Sequence, residues 1–319
     1  MSTITNFVAP LSNLAIVEVS GEQRHEYLHG QLTVATHSFS ADHARLTAHC
    51  DFKGKMFAAL YISEYNGAFL LTMHPDAAEQ SVAQLKKYGV FSKVDITEST
   101  SLKAFGLAGD TQQQALSVLF EDLTSQHMAV CSNEYGQVIT FNDTSLRFLC
   151  LLNANGETHL QNALQAHVGT AEFGHESNWE ALEISAGLAN VQAASMSEFV
   201  PQMLNFQALN AIDFDKGCYM GQEVVARTKF LGKNKRATFI LHASASARPE
   251  QAVVGANVEI QIEDNWRRGG IINRISASNE QILALAVMAN DTEAGSVVRL
   301  KDTDLLFTVM PLPYALDEQ

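Results

Sequence analysis

The chain is short of basic residues, proline and tryptophan, and it has no long apolar run. Lysine and arginine number 21 against 35 aspartates and glutamates, giving a formal charge of −14 at pH 7 and a pI near 5.2. That balance disfavours a nucleic acid as the direct, stably bound partner, because such binding rests largely on phosphate neutralisation by cations. No stretch reaches the ~18 apolar residues that a membrane-spanning helix needs. Met1 to Pro10 holds neither a basic residue nor the apolar centre of a secretion signal, so a cytoplasmic protein is expected. The four cysteines, Cys50, Cys131, Cys150 and Cys218, are widely spaced and form no C-x-x-C pair. This spacing argues against a zinc site and against a disulfide framework, and reduced thiols are expected. The remaining composition, 319 residues with 46% hydrophobic and 18% charged, leaves room for two domains and a sizeable core.

Chemistry concentrates in Asp215-Lys216-Gly217-Cys218-Tyr219-Met220-Gly221-Gln222-Glu223. A cysteine sits there beside a lysine, between two glycines, where a helix is expected to begin. A helix N-terminus and an adjacent ammonium both favour thiolate over thiol, so Cys218 is predicted to be nucleophilic with Lys216 tuning it. Gly217 permits a tight turn, and Gly221 permits close approach of another backbone or a ligand. A lone cysteine is more often an inert core residue. Here the surroundings are polar and basic: residues 216–236 hold six basic side chains and one acidic, with Arg227, Lys229, Lys233, Lys235 and Arg236 in succession. Such a run on an acidic chain points to an anionic ligand or partner.

Lys216-Gly217-Cys218-Tyr219-Met220-Gly221-Gln222-Glu223 carries the pattern K-G-C-Y-x-G-Q-E in full and resembles the YgfZ family. The likeness extends to Ala48-His49-Cys50-Asp51, Lys53-Gly54-Lys55-Met56, Leu85-Lys86-Lys87-Tyr88, Pro201-Gln202, Asn205, Asn234-Lys235-Arg236, Asn265-Trp266-Arg267-Arg268 and Pro311-Leu312-Pro313-Tyr314. The resemblance implies a folate-binding protein, taking tetrahydrofolate or a derivative, that is implicated in tRNA modification and iron–sulfur protein maintenance. It also implies a folate-binding domain of the aminomethyltransferase type followed by a C-terminal barrel. Trp179 matches a tryptophan that contacts folate in the family. Two positions depart from the pattern: Leu14 stands where bacterial members have a second tryptophan, and Ser185-Ala186-Gly187 stands for a Glu-Ala-Gly.

Periodicity agrees with an α+β region followed by an all-β one. Leu14–Ser20, Ala44–Asp51, Met56–Glu64 and Ala68–His74 read as strands, with Asn66-Gly67 a strong hairpin signal. Asp76 and Glu79 open a helix that ends at Lys86-Lys87-Tyr88-Gly89. The pattern then recurs: a strand over Leu102–Ala108, a helix over Thr111–Leu123, strands near Met128–Cys131 and Arg147–Leu152, and helices over Glu157–His167 and Trp179–Ala186. Two α/β halves are expected. From Ala237 on, about six short strands separated by turns suggest a small closed barrel. The expected domains are 1–240 and 241–319.

His25-Glu26-Tyr27-Leu28-His29 spells H-E-x-x-H, a zinc-binding helix elsewhere. Gly30 follows at once and no third ligand has a recognised spacing, so surface histidines on a short helix, with no metal, are expected. Three functional classes follow. The first is a folate-dependent accessory protein that serves an iron–sulfur client such as a tRNA-modifying enzyme. The second is an aminomethyl transferase, and the third is a regulatory module that only docks a partner.

Overall fold

Through its first half the chain alternates strand-forming runs with capped helices: β1 (Phe7–Pro10), β2 (Ala15–Ser20), α1 (Arg24–His29), β3 (Arg45–Cys50), β4 (Met56–Tyr65), β5 (Ala68–Met73), α2 (Pro75–Tyr88), β6 (Asp95–Glu98), β7 (Lys103–Ala108), α3 (Asp110–Leu119), β8 (Val130–Asn133), β9 (Gly136–Asn142), β10 (Leu146–Leu152), α4 (Ala154–Val168) and α5 (Ser177–Ser185). After α6 (Gln222–Phe230) only strands follow: β11 (Arg236–Ser244), β12 (Asn257–Ile262), β13 (Asn265–Ser278), β14 (Gln281–Ala289), β15 (Val297–Leu300) and β16 (Leu306–Met310). The computed structural model describes residues 6–168, 174–232, 234–244, 248–278 and 281–316. It divides into two units: Met1–His29, Ala35–Leu46 and Leu60–Trp179 form the first, and Gly30–Val34, Thr47–Ala59 and Glu180–Gln319 the second.

Two five-stranded sheets correspond to the two expected halves, in the orders β3-β4-β5-β2-β6 and β1-β7-β10-β9-β8. In the first unit Asn66 and Gly67 adopt left-handed φ of 49° and 76°, closing the β4–β5 hairpin as their side chains permit. Helix α2 is capped by His74, which accepts from the Asp76 amide, has Pro75 in its first turn, and ends in Lys86 and Lys87 before Gly89. The second sheet buries Val8, Phe105, Leu107, Val138, Phe148 and Leu152 against Leu116 and Leu160 of α3 and α4. Each such side chain contributes about 1.5–3 kcal/mol of burial free energy. Strands β1, β6 and β9 lie outside the expected set. The first two are short edge strands, and β9 carries the strand-forming run Val138-Ile139-Thr140-Phe141 between the two strands expected near Met128–Cys131 and Arg147–Leu152.

In the second unit six strands close a barrel in the order β11-β14-β13-β12-β15-β16. Alternate residues of β14, Ile282, Ala284, Ala286 and Met288, join Val258, Ile272, Val298, Leu300 and Phe307 inside it. The boundary expected between 240 and 241 falls within β11, so the barrel begins at Arg236. A β-bulge between Ile272 and Arg274 re-aims two polar side chains. Asn273 exchanges hydrogen bonds with the backbone of Asn190. Arg274 grips both oxygens of Glu180 at 2.6 Å and donates to the Leu188 carbonyl at 2.7 Å, with Glu183 at 3.4 Å. All three charged side chains are nearly dry, so removing the arginine would leave two uncompensated carboxylates, a cost on the order of 3–5 kcal/mol. Among the described residues no helix is long and apolar enough to cross a membrane.

Candidate functional site

The Lys216–Glu223 segment is a turn held from three sides within the second unit. Gly217 and Gly221 both take left-handed φ, 93° and 84°. A left-handed residue cannot sit inside an α-helix, so α6 is capped by Gly221 and starts at Gln222. The helix expected to open at Cys218 therefore opens beyond it, at Gln222. Cys218 stands exposed on the connecting turn.

A second glycine explains why the turn is shaped this way. Asp51 folds the loop after β3 by accepting the amides of Lys53 and Lys55 on one carboxylate oxygen, both at 2.8 Å, while its carbonyl accepts Gly54 at 3.0 Å. This loop is pressed on Gly221: a β-carbon there would lie 2.5 Å from the Asp51 carbonyl oxygen and 2.9 Å from the Gly54 α-carbon. One on Gly54, at φ 70°, would meet the Val224 side chain at 3.0 Å. At Gly217 a β-carbon would meet nothing within 4 Å, so its glycine answers only to backbone conformation.

Elsewhere the turn is tied by hydrogen bonds. The Met220 amide donates to the Gly30 carbonyl at 3.0 Å, and Asp213 donates to Thr33 at 2.9 Å. The Lys216 ammonium donates to the Leu32 carbonyl at 2.6 Å and lies 4.8 Å from the centre of the Tyr219 ring. Thr33 is fully buried, donates to Ala211 and accepts from Ala48, so one hydroxyl joins β3 to the approach of the motif. The helix that follows is fixed in turn by Gln202, whose amide donates to the Val225 carbonyl at 2.6 Å. Asn234 donates to Gln202, and left-handed Asn205 bonds both backbone groups of Thr238 and the Tyr314 hydroxyl, which reaches the Gly187 carbonyl. The scattered resemblances at Gln202, Asn205, Asn234 and Tyr314 thus form a buried hydrogen-bond web that sets the barrel against the motif.

Burial separates the cysteines. Cys50 and Cys150 are buried, and burial pushes both thiols above their ordinary range, with Asp51 adding to the effect at Cys50. Cys131, partly covered, is raised by burial as well. Tyr219 is buried beside the motif and its phenol is pushed up, first by burial and then by Cys50 and Asp213. His49, fully buried with its ring edge to face on Phe57, is held neutral by burial, its pKa down to about 4.

Trp179 sits in the first unit with 2% of its surface exposed. Its ring lies on Gly106, where a β-carbon would come within 2.5 Å, and its edge meets Phe141. The guanidinium of fully buried Arg147 lies 4.7 Å from the Phe141 ring centre and 5.7 Å from that of Trp179, and both its terminal nitrogens bond Asp143. A flat ligand finds no open face of this indole. Ser185 spends its hydroxyl on the Ala181 carbonyl. Leu14 lines a cavity of about 510 Å³ with Leu11, Ile16, Leu102 and Phe105, beside the Lys103–Glu157 ion pair.

In α1, His25 pairs Nδ1 with the Thr36 carbonyl while His29 stacks on His37 at 3.8 Å, so the two imidazoles are partly covered and differently engaged. Among the described residues no group of three His, Cys, Asp or Glu side chains is placed to hold a metal ion. Of the basic run, Arg227, Lys229, Lys235 and Arg236 are exposed, and Lys233 lies outside the described residues. Leu32 and Thr33 carried no signal in the sequence, because a backbone carbonyl and a single buried hydroxyl leave none.

With this geometry the chain can be set beside known proteins. It is 36% identical over 309 residues to the "tRNA-modifying protein YgfZ" of Klebsiella pneumoniae (strain 342), covering 97% of this chain and 93% of that one. The protein of the same name from Escherichia coli O127:H6 matches to the same extent. The chain belongs to the YgfZ family. The family's model "YgfZ, beta-barrel domain" matches residues 234–303, which take in the barrel from before β11 to after β15. The fold of this YgfZ-family chain is also that of glycine cleavage system aminomethyltransferase T from Bartonella henselae, with a TM-score of 0.76 at 16% identity, over 97% of this chain and 86% of that one.

Gly221→Ala forces both a disfavoured φ and a collision with backbone, whereas Gly217→Ala forces only the φ, at about 1–2 kcal/mol. Denaturant unfolding should show Gly221→Ala as the clearly more destabilised of the two. For His49, the unfolded chain takes up a proton near pH 6.5 that the folded chain refuses until about pH 4. Stability is therefore lost as pH falls through that window, with a slope of up to about 1.4 kcal/mol per pH unit. Unfolding midpoints at pH 7 and pH 5 should differ less in His49→Gln than in the native protein.

Proposed function

We propose that the chain is a folate-binding accessory protein acting in tRNA modification through the assembly or maintenance of an iron–sulfur enzyme. In this reading Cys218 is the reactive thiol, and Lys216 holds the turn that presents it. The carrying observation is that Cys218 is the exposed cysteine, on a turn fixed by glycine contacts and backbone hydrogen bonds, while Cys50 and Cys150 are buried. One exposed thiol suits a transient bond to a client, or one ligand lent to a cluster in transit. Holding a cluster permanently takes about four thiolates. The relatives' name supports the link to tRNA, and the chain's charge of −14 favours reaching tRNA through a client enzyme rather than by direct binding.

Folate enters the proposal from the resemblance and the shared fold. Trp179 is buried in the first unit, with Arg147 and Gly106 against its ring. The test has two arms. In a bacterium lacking its own family member, the native chain should restore the tRNA nucleoside profile read by mass spectrometry, and Cys218→Ser should not. By calorimetry, 5-formyltetrahydrofolate should bind both proteins saturably and equally. Full restoration by Cys218→Ser would overturn the thiol's role. Turnover of tetrahydrofolate with a small aminomethyl donor would replace the reading with a transferase.

A further inference from the structure

The loop and the helix that meet at Gly221 carry a feature that the motif does not explain. Phe52, at the tip of the loop that packs on Gly221, is 70% exposed, and Phe230 and Leu231, at the end of α6, are 65% and 82% exposed. The loop packs on the first turn of the helix whose last turn carries Phe230 and Leu231, and large apolar side chains left in water on two elements joined in this way point to an interaction surface rather than a packing need. Each ring carries a cation. The Lys53 ammonium lies 5.5 Å from the Phe52 ring centre, and that of Lys229 lies 3.8 Å from Phe214 and 5.3 Å from Phe230, with the two phenyl rings edge to face at 6.1 Å. From Arg227 to Arg236 no acidic side chain intervenes.

We propose that Phe52, Lys53, Phe214, Lys229, Phe230 and Leu231 form a docking surface for a protein segment in which carboxylates alternate with apolar side chains. Charge complementarity selects the acidic character, and the exposed phenyl edges and Leu231 select the apolar side chains. A nucleic-acid base stacks on an open aromatic face, and an ammonium of the chain itself lies toward one face of each of these rings, which leaves less of each ring open to stacking. Carboxylates can pair with those ammonium groups where they stand. An RNA would also meet the repulsion of a −14 chain along its whole length. The inference rests on the reading that the thiol turn meets a client, and it names that client's contacting surface.

The test uses the full-length chain and defined probes: a fluorescein-labelled peptide alternating Glu and Leu, its Glu/Ser and Lys/Leu counterparts, and a single-stranded oligouridylate. Fluorescence anisotropy should show the Glu/Leu peptide bound at least about tenfold tighter than the other probes, as expected where buried apolar anchors dominate. Its affinity should weaken as salt rises from roughly 50 to 500 mM, since exposed ion pairs are screened over that range. The triple variant Phe52→Ser/Phe230→Ser/Leu231→Ser changes only exposed side chains, so circular dichroism should be unchanged while peptide affinity falls. Lys53→Glu/Lys229→Glu should lose the Glu/Leu peptide as well. Cys218→Ser should bind like the native chain, which separates docking from thiol chemistry: lost cellular function with intact docking leaves this surface standing. Undiminished peptide binding by the triple variant would overturn the proposal. So would tighter binding of the oligouridylate, or a concentration-dependent dimer in sedimentation that the triple variant abolishes, which would make the surface a contact between copies.

Discussion

The contact of two backbones at Gly54 and Gly221 is the constraint from which the site follows. A loop made by Asp51 and a turn made by two left-handed glycines can touch only because neither carries a β-carbon. That contact sets where α6 begins, and so leaves Cys218 on a turn ahead of the helix rather than within its first residues. It also brings Phe52 and Lys53 toward the helix whose far end carries Lys229 and Phe230. The hydrogen bonds from Met220 to Gly30 and from Lys216 to Leu32 then hold the turn from its other side.

Much of this was legible before the structure. Strands β2 to β5, the Asn66-Gly67 hairpin and the capped helix α2 lie within a residue or two of their sequence positions, because apolar strand-forming runs bounded by turn and cap residues decide them locally. Gly217 was legible as a tight turn and Gly221 as a place of close approach, although the approaching group, the Asp51 loop, is distant in sequence. What misled was the helix start: lysine, cysteine and glycine before a polar run read as a helix entrance, yet the φ of Gly221 postpones it. Leu32 and Thr33 act through a carbonyl and a buried hydroxyl, which no residue pattern advertises. Trp179 carried a family expectation of ligand contact, whereas its surroundings, Arg147 5.7 Å from its ring centre and Gly106 in contact with it, follow from tertiary packing.

The polar interior follows one logic. Glu180 and Glu183 meet Arg274 at a bulge of β13, and Asn205, Asn234 and Tyr314 satisfy backbone groups around β11. These buried groups are costly unless fully paired, which makes them registers rather than sources of stability: they specify one seating of the barrel against the Pro201–Leu204 turn and α6. Residues such as Gln202 and Asn205, which resemble the family at a distance from Cys218, are tied to α6 and β11 through this seating.

The central claim is that the thiol turn is a fixed element of the fold. Native-state hydrogen exchange tests it most directly, at the amides of Gly54, Asp213, Met220 and Val225, whose carbonyl partners are Asp51, Thr33, Gly30 and Gly221. The account predicts slow exchange at all four, with Met220 and Gly54 protected together and losing protection together in Gly221→Ala. Exchange at Met220 and Gly54 as fast as in an unstructured peptide, while the barrel strands stay protected, would contradict it.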